Sequence, residues 1–192
     1  EVDVIKGEDG GRRHGSSSFL DRRVRPRIIQ CGNWKLILRS DPVAMIDHLL
    51  ATYRGNLWFA GKLMEAVADE QMAMQPVAGI NHPAWILGHL TMPRLWLKDT
   101  LKLGVEVPGD WVEKFNFGSV PVGDRSKYPS KGELMAALEE THRVMEAAIT
   151  TMPEEELMKP NPQEEFRAMF PHAGDGPVML LTSHEGVHLG QL

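Results

Sequence analysis

A chain of 192 residues, 42% hydrophobic and 24% charged, is long enough for one domain with a real core and has ordinary globular composition. A single cysteine, Cys31, excludes a disulfide framework and a cysteine-rich zinc module, and no apolar run has the length of a membrane-spanning helix. The net charge of −5 divides into +4 over residues 1–40 (nine Lys/Arg, five Asp/Glu) and −9 over residues 41–192 (twelve against twenty-one), and an acidic body lacks the basic face that nucleic acid needs. No charged-then-apolar leader opens the chain. A cytoplasmic protein with neither nucleic-acid nor membrane partners is therefore expected.

Residues 1–40 differ from the rest. Gly7–Ser18 is rich in Gly, Ser and charge and has no period, Arg22, Arg23, Arg25 and Arg27 cluster around Pro26, and Ile28–Leu38 has strand-like residues with no partner nearby. This reads as an N-terminal extension, disordered or weakly ordered, or non-native sequence ahead of a domain that could start at Met45. Residues 41–192 read as the domain. Asp41-Pro42 supplies an N-cap acid and a first-turn proline. Ile46, Leu49, Leu50, Tyr53, Leu57, Ala60, Leu63, Met64 and Val67 then recur at spacings of three and four, the stripe of an amphipathic helix that ends before the Pro76–Gly79 turn. A second helix is expected from Pro83 to Leu103, capped by Asn81 and bent at Pro93. Residues 104–130 form a long Gly/Pro-rich connection whose Trp111, Phe115 and Phe117 should fold back on the domain. Ser130 and Glu133 make a capping box for a third helix that carries Leu134, Leu138, Met145 and Ile149 to about Met152. Asp175-Gly176-Pro177 opens a last helix. Four helices, one long connection and no alternating strand pattern predict an all-α, antiparallel four-helix bundle.

His184 and His188 are four apart on the last helix, so both imidazoles share a face one turn apart and can bind one metal ion; a third ligand must come from elsewhere. The string His184-Glu185-Gly186-Val187-His188 also spells His-Glu-x-x-His, a metallopeptidase pattern in which Glu185 would be the general base. A third ligand for that reading should lie downstream, where Leu189, Gly190, Gln191 and Leu192 offer none, so the peptidase is the weaker reading. Glu185 can equally be a solvated residue or an acceptor behind the ligands.

A second cluster runs from Asn81 through His82, Trp85 and His89 to Leu90. Together with Ser183–Leu192 it resembles the DinB/YfiT-like superfamily, whose members carry Trp-x-x-x-His on the second helix and His-x-x-x-His-x-Gly-Gln on the fourth. Trp85/His89 and His184/His188/Gly190/Gln191 match those positions, and Tyr53-Arg54-Gly55-Asn56-Leu57 is similar in character. The resemblance spans about residues 41–192 and stops at Leu192, where members usually continue the helix, so a truncated chain is expected. It implies a DinB-like four-helix bundle holding one divalent metal on His89, His184 and His188. Three imidazoles leave positions open for water or substrate, and suit zinc, nickel and iron(II) alike.

Some relatives are thought to add low-molecular-weight thiols (bacillithiol, mycothiol or glutathione) to electrophiles, and a metal-dependent thiol S-transferase is the activity the resemblance implies. A non-catalytic metal-binding or stress-response bundle, possible as a homodimer, is the alternative. Around the ligands, Trp85 is expected to pack in the core or wall the pocket, Gln191 to hold an imidazole or bound water, and His142 to reach the core as a supporting or substrate group. His82 should cap the helix or face solvent, while His48 and His172 should lie at the surface or in loops. Met64, Met72, Met74, Met92, Met135 and Met145 read as flexible core filler.

Overall fold

The computed structural model describes residues 2–6, 27–31, 34–38, 45–104 and 107–192. The chain divides into two units, Glu1–Ala44 and Met45–Leu192. In the first, strands β1 (Val2–Lys6), β2 (Arg27–Cys31) and β3 (Trp34–Leu38) form an antiparallel sheet in the order β1-β3-β2. The register pairs Val2 with Leu38 and Lys6 with Trp34 on one side of β3, and Arg27 with Leu38 and Cys31 with Trp34 on the other. The expectation that Ile28–Leu38 lacks a partner is thus corrected: the stretch pairs with itself across Gly32-Asn33. Two turn-prone residues between strand-like runs are a hairpin signal in sequence. The all-α reading fits the helical unit, Met45–Leu192. The Gly7–Ser18 and Arg22–Pro26 readings, and the Asp41-Pro42 helix start, lie outside the described residues.

The second unit is helical, apart from a single bridge between Pro160 and His172. Helix α1 is Met45–Glu65, carrying the predicted stripe. The second stretch comes in three pieces, α2 (Pro83–His89), α3 (Pro93–Trp96) and α4 (Lys98–Leu101). Its interruption falls just ahead of Pro93, which has no N–H to continue the helical ladder and instead begins α3. The N-cap of α2 is His82, not Asn81: its Nδ1 accepts from Trp85 N–H at 3.1 Å, while Asn81 turns its amide to Gln191.

The long connection contains a helix of its own, α5 (Gly109–Phe115), which buries Trp111 and Phe115. Phe117 does not join the core. It lies beyond the end of α5, before the turn at Gly118 (φ +85°), and is 87% exposed. Helix α6 (Lys131–Thr151) begins with the predicted box: Ser130 Oγ accepts from Glu133 N–H and the Glu133 carboxylate accepts from Ser130 N–H. After the short α7 (Glu154–Leu157) comes the last stretch, α8 (Asp175–Met179), a π-turn over Leu180–His184, and α9 (Glu185–Leu189).

Side-chain contacts fix how these stretches run. Arg54 in the middle of α1 pairs with Glu146 toward the end of α6, while Lys131 at the start of α6 donates to the Met64 and Val67 carbonyls at and just beyond the end of α1. These two helices are therefore antiparallel. Asn81 meets Gln191 at one end of the second and last stretches, and Leu97 lies against Gly176 at the other, so these too are antiparallel.

Every stretch contributes to two apolar clusters. One gathers Met64, Trp85, Leu87, Leu134, Leu138 and Leu189; the other gathers Leu50, Tyr53, Leu101, Met145, Ile149 and Leu181. Polar positions fall between them along three of the stretches, Asn56 on α1, Thr141 and His142 on α6, and His184, Glu185 and His188 at the end, and His89 on α2 lies among residues of the first cluster. Burial of the two apolar layers is the main favourable term in folding, and it encloses a polar layer whose groups must find partners inside the protein. Met64, Met72, Met92 and Met145 serve as core filler and Met135 packs against it, but Met74 is 56% exposed. Among the described residues, no helix is long and apolar enough to cross a membrane.

Candidate metal centre

Three histidines from two helical stretches meet in the polar layer. One ligand atom from each of His89, His184 and His188 lies within 4.8 Å of the others, close enough to hold one metal ion. The Nε2 atoms of His89 and His184 face each other at 3.2 Å. Ring centroids stand 4.7 Å apart for His89 and His188 and 4.6 Å for His184 and His188.

Backbone and side-chain partners set the tautomers. His89 Nδ1–H donates to the Phe115 carbonyl at 2.7 Å, which leaves the Nε2 lone pair directed at the cluster. His188 Nδ1–H donates to Gln191 Oε1 at 3.2 Å, and Asn81 Nδ2 steadies the same oxygen at 3.0 Å. Trp85 stacks on the His89 ring at 4.4 Å and 13°, with its indole N–H anchored on Ser119 Oγ. On the other side, Trp96 lies edge-on to both His89 and His184, its indole N–H spent on Asn116 Oδ1.

This arrangement fits a divalent cation. The His89 Nε2 lone pair is directed at His184 Nε2 only 3.2 Å away, a contact that a shared cation could take over, and the His184 Nδ1 is buried with no partner. Burial, with a small contribution from His188, drives the His89 pKa down to about 4, and burial with both neighbouring imidazoles does the same for His184. Burial also lowers that of His188. The three are therefore neutral at pH 7, the state in which imidazole binds metal.

The same shifts set a pH dependence. Each folded pKa lies below the 6.5 of an unperturbed histidine. Between pH 6.5 and about 4 the unfolded chain therefore binds more protons than the folded one. The stability these groups contribute is complete above pH 6.5 and is lost as pH falls through that window. Chelator-treated protein should accordingly melt at progressively lower temperature from pH 6.5 to 4, and His89→Gln should flatten that decline. An equally steep decline in the variant would contradict the assignment.

Glu185 is not solvated; it is 3% exposed. One carboxylate oxygen accepts from His142 Nε2 at 2.7 Å and the other from Asn56 Nδ2 at 3.0 Å. His142 in turn stacks under Tyr53 at 3.6 Å and 12°. Burial first, then the Glu185 charge, pushes the Tyr53 phenol well above its usual value. Thus Glu185 and His142 hold each other, and neither belongs to the three-imidazole group. With both oxygens engaged, Glu185 is poorly placed to be the base of a peptidase. His82 is fully buried as a cap, with Nε2 on the Val122 carbonyl, while His48 is exposed, His172 is half-buried and His14 lies outside the described residues.

The sequence had not singled out Phe115 as the anchor of His89, Asn56 as a partner of Glu185, or Trp96 as a wall of the site. A carbonyl leaves no mark in sequence. Asn56 did carry a signal, as an amide on the buried side of an otherwise apolar stripe.

The family model of the DinB superfamily matches residues 60–192. The chain belongs to the DinB superfamily. No curated protein matches it. The DinB match takes in all three clustered histidines, Trp85 and Gln191, and leaves Tyr53–Leu57 ahead of its boundary.

Proposed function

We propose that this DinB superfamily protein holds one divalent metal ion on His89, His184 and His188 and transfers a low-molecular-weight thiol to an electrophile. The observation that carries the metal part is the convergence of three neutral imidazoles with their Nδ1 sides anchored or buried. The packing of the four helical stretches supports the antiparallel four-helix bundle that the sequence suggested, with ligands drawn from its second and last members. Zinc, nickel and iron(II) all suit the donor set. When bound, such an ion would lower the pKa of a thiol presented to it and so favour the thiolate.

The chain's own residues orient and enclose. Phe115 and Gln191 fix two imidazoles, Trp85 and Trp96 cover the rings and keep water off their faces, and the Glu185–His142–Asn56 contacts tie the last stretch to α6 and α1. In the reaction class proposed, the thiol sulfur forms the bond to carbon, the leaving group departs with its electron pair, and the thiol proton passes to solvent. The reading includes a second copy of the chain as partner, supported by Trp58 and Phe59 exposed side by side on α1.

The alternative is a bundle that binds metal without catalysis. Glutathione and chlorodinitrobenzene separate the two. Metal-loaded protein should consume the thiol faster than chelator-treated protein, and the rate should return with added zinc or nickel. Equal rates with and without metal would favour the binding module.

A further inference from the structure

One unexplained feature of the helical unit adjoins the histidine cluster. A cavity of about 490 Å³ has His184 and Trp96 in its inner wall and Phe117, Phe166 and Phe170 around it, with Met179 on one side. None of its lining residues is Asp, Glu, Lys or Arg. Two of its polar side chains are committed elsewhere. The Trp96 indole N–H is held by Asn116, and Asn161 spends its amide on the Phe170 carbonyl and its oxygen on Gln163 N–H. What faces an occupant is mostly ring and methylene. Two of those rings are costly to leave bare: Phe117 is 87% exposed and Phe166 48% exposed. Exposed aromatic side chains around a concave, uncharged space next to reactive groups mark a ligand site, and the volume suits a small organic molecule. A charged ligand would lose hydration here with no counter-charge to compensate it.

We propose that this cavity binds the electrophile and that the electrophile is an uncharged, largely aromatic molecule. The word electrophile rests on the thiol-transfer reading. The preference for an uncharged ring rests on the lining alone. Aromatic faces at the rim favour a flat ring by offset or edge-on stacking, and the Trp96 and His184 rings at the inner wall place its far end beside the imidazole cluster.

Titration of the full chain with N-phenylnaphthylamine, an uncharged fluorescent probe, tests this. Saturable binding of one probe per chain is expected, with its sulfonated analogue anilinonaphthalenesulfonate binding at least about tenfold more weakly. Phe117→Ser combined with Phe166→Ser, which removes two exposed rings and leaves the core alone, should weaken the uncharged probe by about tenfold. Ala173→Trp, which fills the cavity, should do the same; if that variant fails to fold, the double serine variant decides. Metal content should be unchanged in the double variant. No saturable binding, equal affinity for the sulfonate, or affinity unmoved by the double variant would overturn the proposal. Probe binding as expected alongside no metal-dependent thiol consumption would retire the transfer reading and leave the ligand class standing.

Discussion

Replacing His89 by alanine should lower the divalent metal in dialysed protein from about one ion per chain to less than about a tenth of that, and His188→Ala should do the same. The two test different things. His188 on α9 lies one turn after His184, the last residue of the preceding π-turn, so a two-histidine site on that stretch would need it and ignore His89. His89 comes from the second helical stretch, 95 residues away, and its Nε2 reaches His184 Nε2 at 3.2 Å. Loss of metal in both variants is what a three-imidazole site requires. Metal content retained in His89→Ala would reduce the centre to the helical pair and remove the reason for placing it in the core. Elemental analysis after dialysis, with thermal melting to verify folding, provides the readout.

Gly88→Ala should cost about 1–3 kcal/mol, an unusual penalty for one methyl group. A Cβ at this position would stand 2.5 Å from three atoms of the Phe115 ring, which is itself fully buried. The ring must move or α2 must withdraw. Either shift pulls the Phe115 carbonyl away from His89 Nδ1–H, now at 2.7 Å. The melting temperature should fall by several degrees, at about 2–4 °C per kcal/mol for a unit of this size. Metal affinity should fall by about tenfold or more, as it does when the outer partner of a ligand imidazole is lost. Gly55→Ala is the control: nothing lies within 4 Å of its Cβ position, so alanine should be neutral or slightly stabilising there. If Gly88→Ala melts like Gly55→Ala, the close packing of α2 on α5 is not what holds His89.

Much of the helical unit was legible in residue order. The stripe of α1, the Ser130–Glu133 box of α6 and the breaking effect of Pro93 each follow from local physics: side-chain periodicity, an orphan backbone N–H, a missing donor. Less local features were not. Nothing in residues 104–130 announced that α5 would bury Phe115 while leaving Phe117 exposed two residues on, because that depends on where the chain leaves the core. Pairing of Val2–Lys6 with Trp34–Leu38 spans more than twenty residues and carries no periodic signal. The π-turn at Leu180–His184 is likewise a matter of how the last stretch accommodates its neighbours.

The opening clue was a helical pair, His184 and His188; the spacing alone could establish that both imidazoles share a face, and the family resemblance implied His89 as the third ligand. Neither could establish convergence, since a ligand set drawn from distant stretches exists only once the helices pack. Packing also settled Glu185. In sequence it stands inside a peptidase-like string; in the fold it is one residue from His184 yet turned to His142 and Asn56, because successive helical residues point about 100° apart. The uncharged cavity beside His184 is the clearest product of tertiary structure. Its rings come from separate stretches between Trp96 and His184, and only the folded chain brings them around one space.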